Sequence, residues 1–290
     1  MMNKARFVFS AFADEITPDF DGQLAALKEL GIPLLELRGV DGKSFVQLTD
    51  DEAAAVKAKL EAAGIGLSAL GSPIGKMDAD GDFEAHLKLF DRVMDLGDQL
   101  GCKRIRMFSF YPGSLEREAF EQRVAEWMEI LVSKAEERGF VLCHENEKDI
   151  YGDSPENEAK LMARFGGRLK AVLDPGNFAF CKMDPAPAYP LLKEYIEYFH
   201  IKDADEEGII VPPGKGVALL EETLCKIASD RAGQDVILTM EPHLMMFTGL
   251  SSLSKLDDIR HKYTFESPFE AFRVAYEAVR EMAERACAAE

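Results

Sequence analysis

The stretch AEERGFVLCHEN, residues 135–146, contains the pattern that decides the fold. A charged, helix-forming segment ends at Gly139, and the apolar run Phe140–Cys143 follows it directly. Glycine can close a helix in the left-handed conformation without a steric penalty, so the pattern predicts a helix followed by a buried strand. The strand then stops at the polar residues His144, Glu145 and Asn146.

The same order of helix, glycine and apolar strand recurs along the chain. The other copies are LKELGIPLLELR (27–38), LEAAGIGLSALG (60–71), GDQLGCKRIRMF (97–108) and RFGGRLKAVLD (164–174), with glycines at 31, 64, 101 and 167. A further glycine, Gly233, precedes QDVILTMEPH (234–243), and strands are also predicted at RFVFSAF (6–12) and YIEYFHIKD (195–203). The pattern therefore predicts eight strands separated by helices.

Strands that alternate with helices favour a parallel α/β sheet. Start signals support the helices: Thr49 with Glu52 has the pattern of a capping box, and Ser154-Pro155 is typical of a helix start. Eight such units predict a (β/α)8 TIM barrel. A doubly wound open sheet is the alternative, but no glycine-rich nucleotide fingerprint follows the first strand. Because no linker or low-complexity stretch interrupts the chain, residues 1–290 are expected to form one domain.

Composition limits the classes of partner. The formal net charge of −18 argues against nucleic-acid binding, which requires a basic surface, although a local basic groove could be hidden in the total. No apolar run is long enough to span a membrane. The start, MMNKARFVFSAFADE, resembles a secretory signal superficially, but it also fits a first strand leading into a helix. Five cysteines without a pairing pattern indicate a reduced, cytoplasmic protein.

Four consecutive predicted strands deliver a potential metal ligand at the same edge of the barrel. These residues are Glu145, Asp174, His200 and Glu241. Each alone has an ordinary explanation, as a turn former, a structural histidine or a solvated carboxylate. Their recurrence at successive strand ends, where barrels place their chemistry, favours one site for a divalent ion. Three carboxylates and one imidazole suit Mn²⁺, Mg²⁺, Co²⁺ or Zn²⁺.

The most specific parts of a family resemblance are LDPGN (173–177), HIKD (200–203) and the Glu of MEPH (240–243). Nearly the whole chain resembles the sugar phosphate isomerase/epimerase family, the xylose isomerase-like barrels. Relatives include ketose 3-epimerases, hydroxypyruvate isomerase, inosose dehydratase and, more distantly, DNA-repair enzymes of the endonuclease IV type. The resemblance implies that Glu145, Asp174, His200 and Glu241 bind one divalent metal ion. The DNA-repair branch is disfavoured, because it needs several extra histidines that this acidic chain lacks at strands two and three.

Two departures from the family pattern leave the substrate open. Glu147 stands where many relatives have histidine, and Asn177 stands where the epimerases often have histidine. Other candidate substrate contacts come from strand faces, since residues two apart in a strand share a face. The candidates are Lys202, Asn177, Glu147, Arg38, Glu36 and Arg106. The arginines could instead neutralise the acidic rim, and Lys202 could pair with Asp203 or another carboxylate. The segment GIIVPPGKG (208–216) resembles the loop that closes over substrate in relatives.

The expected activity is a metal-dependent isomerase or epimerase of a small sugar or sugar-like hydroxy-carbonyl compound. Glu145 and Glu241 are the expected catalytic residues, transferring a proton through a metal-bound enediolate. The alternatives are a lyase on the same site, as in inosose dehydratase, and a non-catalytic, metal-dependent sugar-binding protein. The expected partner is a small sugar, without nucleic acid or membrane, and a homo-oligomer is possible.

Overall fold

The computed structural model describes residues 4–245 and 262–288. Eight strands form a barrel, and each begins close to a position that the sequence pattern predicts. They are β1 (Arg6–Ala11), β2 (Leu34–Leu37), β3 (Gly66–Gly71), β4 (Arg104–Met107), β5 (Val141–Glu145), β6 (Lys170–Leu173), β7 (Ile196–Ile201) and β8 (Asp235–Met240).

The strands close into a parallel barrel in chain order. Each pairs with its sequence neighbours, and β1 pairs with β8 along its full length, from Arg6 opposite Asp235 to Ala11 opposite Met240. A closed ring of this kind confirms the predicted (β/α)8 fold over the doubly wound open sheet. Closure also brings the carboxyl ends of all eight strands to one mouth.

Helices cover the outside of the barrel between the strands. They are α1 (Phe20–Leu30), α2 (Asp50–Ala63), α3 (Phe83–Leu100), α4 (Arg117–Glu137), α5 (Pro155–Phe165), α6 (Pro175–Phe180), α7 (Ala188–Leu192), α8 (Leu220–Asp230) and α9 (Pro268–Ala288). Within residues 4–245 and 262–288, no helix combines the length and the apolar character that a membrane crossing requires.

Most of the glycines that the sequence predicts to end helices do so in the structure. Gly31, Gly64 and Gly101 cap their helices in the left-handed conformation, with φ of 70°, 69° and 76°. One prediction is wrong by a residue: α5 is capped by Gly166 rather than Gly167, because the chain turns to the left-handed region one position earlier. Helix α4 is likewise capped by Arg138, directly before Gly139.

Two apolar layers hold the barrel. The larger lies between the strands and the surrounding helices, and a smaller cluster inside the barrel joins Ala69, Cys143, Val172 and Tyr198. Towards the carboxyl ends the interior becomes charged instead of apolar. The assignment of residues 1–290 to one domain stays a prediction, because the described ranges leave out the ends of the chain and residues 246–261.

The connection from β3 to α3 is fixed by a buried histidine. The backbone N–H of Gly75 donates to Nε2 of His86 on α3, at 2.9 Å. Gly75 has φ of 87°, and a Cβ there would lie 2.0 Å from the carbonyl oxygen of Phe108. Glycine is therefore required for this loop to lie against the end of β4. The next residue, Lys76, is thereby brought to the mouth of the barrel.

We expect His86 to make the stability of the protein depend on pH. Burial lowers the pKa of His86 from 6.5 to about 4. The neutral ring is also the form that can accept from Gly75 at Nε2. The unfolded chain then binds more protons than the folded chain between pH 6.5 and about 4. His86 should therefore cost up to about 3 kcal/mol of unfolding free energy as the pH falls through that window.

Chemical denaturation of the wild type and of His86→Gln at several pH values would test this. Glutamine keeps an acceptor for Gly75 but does not titrate, so the difference between the two proteins should change with pH only below about 6.5. Parallel stability curves from pH 7 to pH 4 would contradict the assignment.

Candidate metal centre

The four residues expected to bind metal meet at the barrel mouth. One potential ligand atom from each of Glu145, Asp174, His200 and Glu241 lies within 4.8 Å of the others. Glu145 ends β5, His200 lies in β7, and Asp174 and Glu241 directly follow β6 and β8. All four are buried, with exposures of 0–4%. The strand-end argument from the sequence thus identified residues that the fold brings together.

Asp174 is held in place by its backbone and by two asparagines. Its side chain caps α6 by accepting from the N–H of Asn177, at 3.1 Å. The Asn146 side chain accepts from the Asp174 N–H at 2.9 Å and donates to the Asp174 carbonyl at 2.8 Å. Asn177 in turn donates to the Asn146 carbonyl at 2.8 Å and to Glu145 at 3.3 Å. Asn146 and Asn177 therefore join the ends of β5 and β6 into one rigid unit.

The His200 ring connects two sides of the site. Its Nδ1 lies 3.0 Å from Oε1 of Glu145 and 3.2 Å from Oε2 of Glu241. Its Nε2 lies 2.9 Å from Oε2 of Glu36, on β2. The ring of Phe12 packs edge-on against it, with centroids 5.1 Å apart. The imidazole is thus fixed on all sides, with Nδ1 directed at the carboxylates.

Buried cations balance the remaining negative charge. Lys202 Nζ lies 3.1 Å from Asp174 Oδ2 and 3.3 Å from Glu241 Oε2. Arg106 Nε lies 3.4 Å from Glu145 Oε2, and Arg38 Nη1 donates to Glu241 Oε1 at 2.9 Å. Buried carboxylates are tolerated only when paired in this way.

These pairs set the protonation states of the site. Burial by itself would raise the pKa of Glu145, but His200 and Arg106 outweigh it and lower that pKa to about 2. Burial also opposes ionisation of Glu241, yet Lys202 and His243 hold its pKa well below the usual value. Both glutamates are therefore ionised at neutral pH. Burial disfavours the charged form of His200, but Glu145 and Glu36 raise the pKa of its ring well above 6.5.

Asp174 differs from the two glutamates in its pKa, and its contacts indicate whether the four residues of the cluster could bind a metal ion. Burial raises the pKa of Asp174 to about 7, against the opposing effect of Lys202. Its Oδ2 is buried and makes no hydrogen bond within the described residues. Lys202 Nζ is close to this oxygen, but the angles are not those of a hydrogen bond. An oxygen in that state fits a metal ligand. With three carboxylates and an imidazole at this spacing, the donor set suits one divalent cation.

A second group of potential ligands shares Glu241. Glu15, Glu241 and His243 also lie within 4.8 Å of one another. Arg38, however, already contacts Glu15 at 3.4 Å and Glu241 at 2.9 Å, so a guanidinium supplies the positive charge there. Burial and the charge on Glu241 raise the pKa of Glu15 to about 8 despite Arg38, and burial lowers the pKa of His243 to about 4. The first cluster is the stronger candidate.

A narrow cleft opens from Glu145 and Glu241 of the cluster to solvent. Four of the six predicted substrate contacts line it: Lys202, Asn177, Glu147 and Arg106. Arg38 lines a second, larger cleft of about 450 Å³ that shares Arg106 with the first. Glu36 is placed elsewhere: it is fully buried and is absent from the walls of both clefts among the residues that the structure describes.

The loop after β7 reaches this cleft through Ile210. Both carboxylate oxygens of Asp203 hold it, Oδ2 accepting from the N–H groups of Gly214 and Gly216 at 2.8 and 3.0 Å. A Cβ on Gly216 would lie 2.2 Å from Asp203 Oδ1, so the close approach requires glycine. The loop is thus a fixed wall of the cleft in this conformation.

Sequence reasoning missed several residues of the site. Asp14 and Glu15 follow β1, and His243 follows Glu241, so a reading of all eight strand ends could have found them. Lys76 carries no such signal, because it lies in the loop held by His86. Lys76 Nζ pairs with Glu147 at 3.2 Å, lies 4.4 Å from the centre of the Phe108 ring and lines the cleft.

Comparison with known proteins places the chain in a family. The family model described as xylose isomerase-like TIM barrel matches residues 24–243. The chain belongs to this family, which confirms the resemblance seen in the motifs. No curated protein matches the chain in sequence.

Solved structures share the fold at low sequence identity. D-psicose 3-epimerase from Clostridium cellulolyticum H10, in complex with D-tagatose, aligns with a TM-score of 0.72 and 13% identity over 95% of this chain and 99% of its own. A xylose isomerase-like TIM barrel protein from Mycobacterium smegmatis, in complex with magnesium, gives 0.70 and 15% over 99% and 98%. The probable 3-DHS dehydratase from Bacillus anthracis gives 0.71 and 12% over 94% and 98%.

We expect single substitutions in the cluster to remove metal binding, while the variants still fold cooperatively at reduced stability. His200→Ala and Asp174→Ala each remove one of four converging donors, whereas residues at the mouth of a barrel contribute to function more than to stability. Affinity for Mn²⁺ or Co²⁺, measured by isothermal titration calorimetry, should fall by more than about 100-fold.

Glu147→Gln is the matched control, because it removes a carboxylate from the same strand end without touching the cluster. Its metal affinity should equal that of the wild type. If His200→Ala instead loses cooperative unfolding while metal content is unchanged, the histidine is a structural core residue.

Proposed function

We propose that the protein is a divalent-metal-dependent isomerase or epimerase of a small sugar or sugar-like hydroxy-carbonyl compound. The observation that carries this proposal is the convergence of Glu145 and Glu241 on His200 Nδ1, from strands β5 and β8. The two carboxylates reach the same point from different sides, and both line the cleft that opens to solvent.

The geometry suits proton transfer at a carbon next to a carbonyl group. When bound, a divalent ion in the cluster would act as a Lewis acid on the carbonyl and the adjacent hydroxyl oxygen, which acidifies the neighbouring C–H. Because their pKa values are low, Glu145 and Glu241 are both ionised and available as bases at neutral pH. One glutamate would remove the proton from one face of the substrate.

The presence of two carboxylates favours inversion of a centre. A single base can return a proton only to the face from which it came, whereas a second base on the opposite side can protonate the other face. A substrate lying between Glu145 and Glu241 would present one face to each. Return of the proton to the same carbon gives an epimer, and return to the neighbouring carbon gives an isomer.

The residues that line the cleft would orient the substrate. Lys202 and Arg106 place positive charge beside its oxygens, and Asn177 offers an amide group already held by Asn146. Glu147, paired with Lys76, can accept a hydrogen bond from a substrate hydroxyl at the rim. Arg38 would act mainly by holding Glu241, which it contacts at 2.9 Å.

A lyase on the same site is the second candidate. A lyase would share the first step, which is removal of the proton beside the carbonyl. The substrate would then lose a hydroxyl group as water. The favouring observation is that the similar structures include both a ketose 3-epimerase and a probable dehydratase at TM-scores of 0.72 and 0.71. At this identity the likeness concerns the fold, so the reaction has to be measured.

Incubation of the metal-loaded protein with ketoses and inososes in D₂O, followed by mass spectrometry, would decide between the classes. Uptake of deuterium without loss of mass indicates an isomerase or epimerase, and loss of 18 mass units indicates a lyase, since water leaves. Neither change, combined with saturable binding of a sugar, would make the protein a metal-dependent sugar-binding protein and would contradict the proposal.

We expect Glu145→Gln and Glu241→Gln each to lower turnover by about 10²- to 10⁴-fold at saturating metal, because an amide cannot act as the base. With metal bound, one of the two variants should still exchange deuterium into the substrate without inverting the centre. Glu197→Gln serves as the control, because Glu197 pairs with Arg104 at 2.8 Å away from the cluster, and it should retain turnover within an order of magnitude. Near-wild-type rates in both fully metallated glutamine variants would exclude the two-glutamate mechanism.

A further inference from the structure

Glu36 has a set of contacts that substrate binding does not explain. It lies on β2 with no exposed surface, and both of its carboxylate oxygens are used. Oε2 is 2.9 Å from Nε2 of His200, and Oε1 accepts from the Tyr198 hydroxyl at 2.9 Å. Both partners belong to β7, across the barrel from β2. Glu36 therefore joins two strands that do not pair with each other.

Glu36 contacts His200 at Nε2, on the edge of the imidazole ring that is remote from Glu145 and Glu241. Nδ1 is the nitrogen near Glu145 and Glu241, and a metal ion there requires a lone pair on Nδ1. In the neutral imidazole the single proton then has to be on Nε2. A carboxylate that accepts from Nε2–H stabilises that tautomer and also fixes the rotation of the ring.

Tyr198 completes the arrangement from the same strand as His200. Its hydroxyl donates to Glu36, so the carboxylate is held at both oxygens and cannot rotate away from the histidine. Arg106 adds positive charge nearby, with Nε 3.9 Å from Glu36 and 3.4 Å from Glu145. The side chains of Glu36, Tyr198 and Arg106 thus form a rigid floor below His200.

We infer that Glu36, held by Tyr198, is a positioning residue that presents Nδ1 of His200 to the metal cluster and so sets the metal affinity of the site. This inference rests on the metal centre of the proposed function. It replaces the substrate contact that the sequence suggested for Glu36, because the carboxylate has no exposed surface and lines neither of the clefts that the described residues form.

The test is titration of the metal-free protein with Co²⁺ alone, followed by calorimetry and by the visible absorption of the bound ion. Glu36→Gln weakens the acceptor for Nε2–H at nearly constant shape and should lower Co²⁺ affinity by about 10- to 100-fold. Tyr198→Phe leaves the bond between Glu36 and His200 in place, so its loss should be smaller, about 2- to 10-fold. The absorption bands should keep their positions when His200 remains a ligand.

Glu197→Gln is the matched control. Glu197 lies in the same strand as Tyr198 and His200, but it pairs with Arg104 at 2.8 Å, away from the cluster. Its removal should leave Co²⁺ affinity unchanged. In a His200→Ala background, Glu36→Gln should have no further effect on affinity, because a residue that acts through His200 loses its influence with the ring.

The outcomes separate this inference from the proposed function. If the wild type binds no Co²⁺, the metal centre itself is wrong, and the inference is overturned with it. If the wild type binds but both Glu36→Gln and Tyr198→Phe bind equally well, the metal centre stands and Glu36 has no positioning role. Should Glu36→Gln fail to fold, unchanged affinity in Tyr198→Phe would still overturn the inference.

Discussion

The mouth of the barrel depends on one electrostatic constraint, which is that every buried carboxylate needs a cation or a hydrogen-bond donor within reach. Four cations at the ends of β2, β4 and β7 meet this need: Arg38, Arg106, His200 and Lys202. Their carboxylate partners lie at the ends of four other strands and are Asp14, Glu145, Asp174 and Glu241. Removing one partner from such a network leaves an uncompensated charge in a dry environment, which typically costs about 3–5 kcal/mol. The network therefore fixes side chains that belong to strands far apart in sequence.

The constraint also explains the local geometry of the candidate metal centre. Glu145 and Glu241 share the same edge of His200, so two negative charges converge where a cation is best accommodated. Asp174 contributes a third oxygen whose pKa is raised to about 7 by burial, which indicates that it lacks sufficient positive charge. A divalent ion would supply that charge.

The departures from the family pattern have identifiable structural roles. Asn177, where epimerases often have histidine, ties Glu145 to the backbone of Asn146. Glu147, where many relatives have histidine, pairs with Lys76 at the rim of the cleft. Both changes alter the polar surface that a substrate would meet and leave the four potential metal ligands in place.

The sequence by itself determined the order of helices and strands, the closed parallel barrel and the four residues of the cluster. It could do so because glycine caps and apolar runs are local signals, and because parallel strands bring their carboxyl ends to one mouth. The tertiary structure alone decided that Glu36 lies beneath His200 and that Lys76 reaches the cleft. Glu36 and His200 are 164 positions apart, and their contact across the barrel depends on tilt, register and packing rather than on any local pattern.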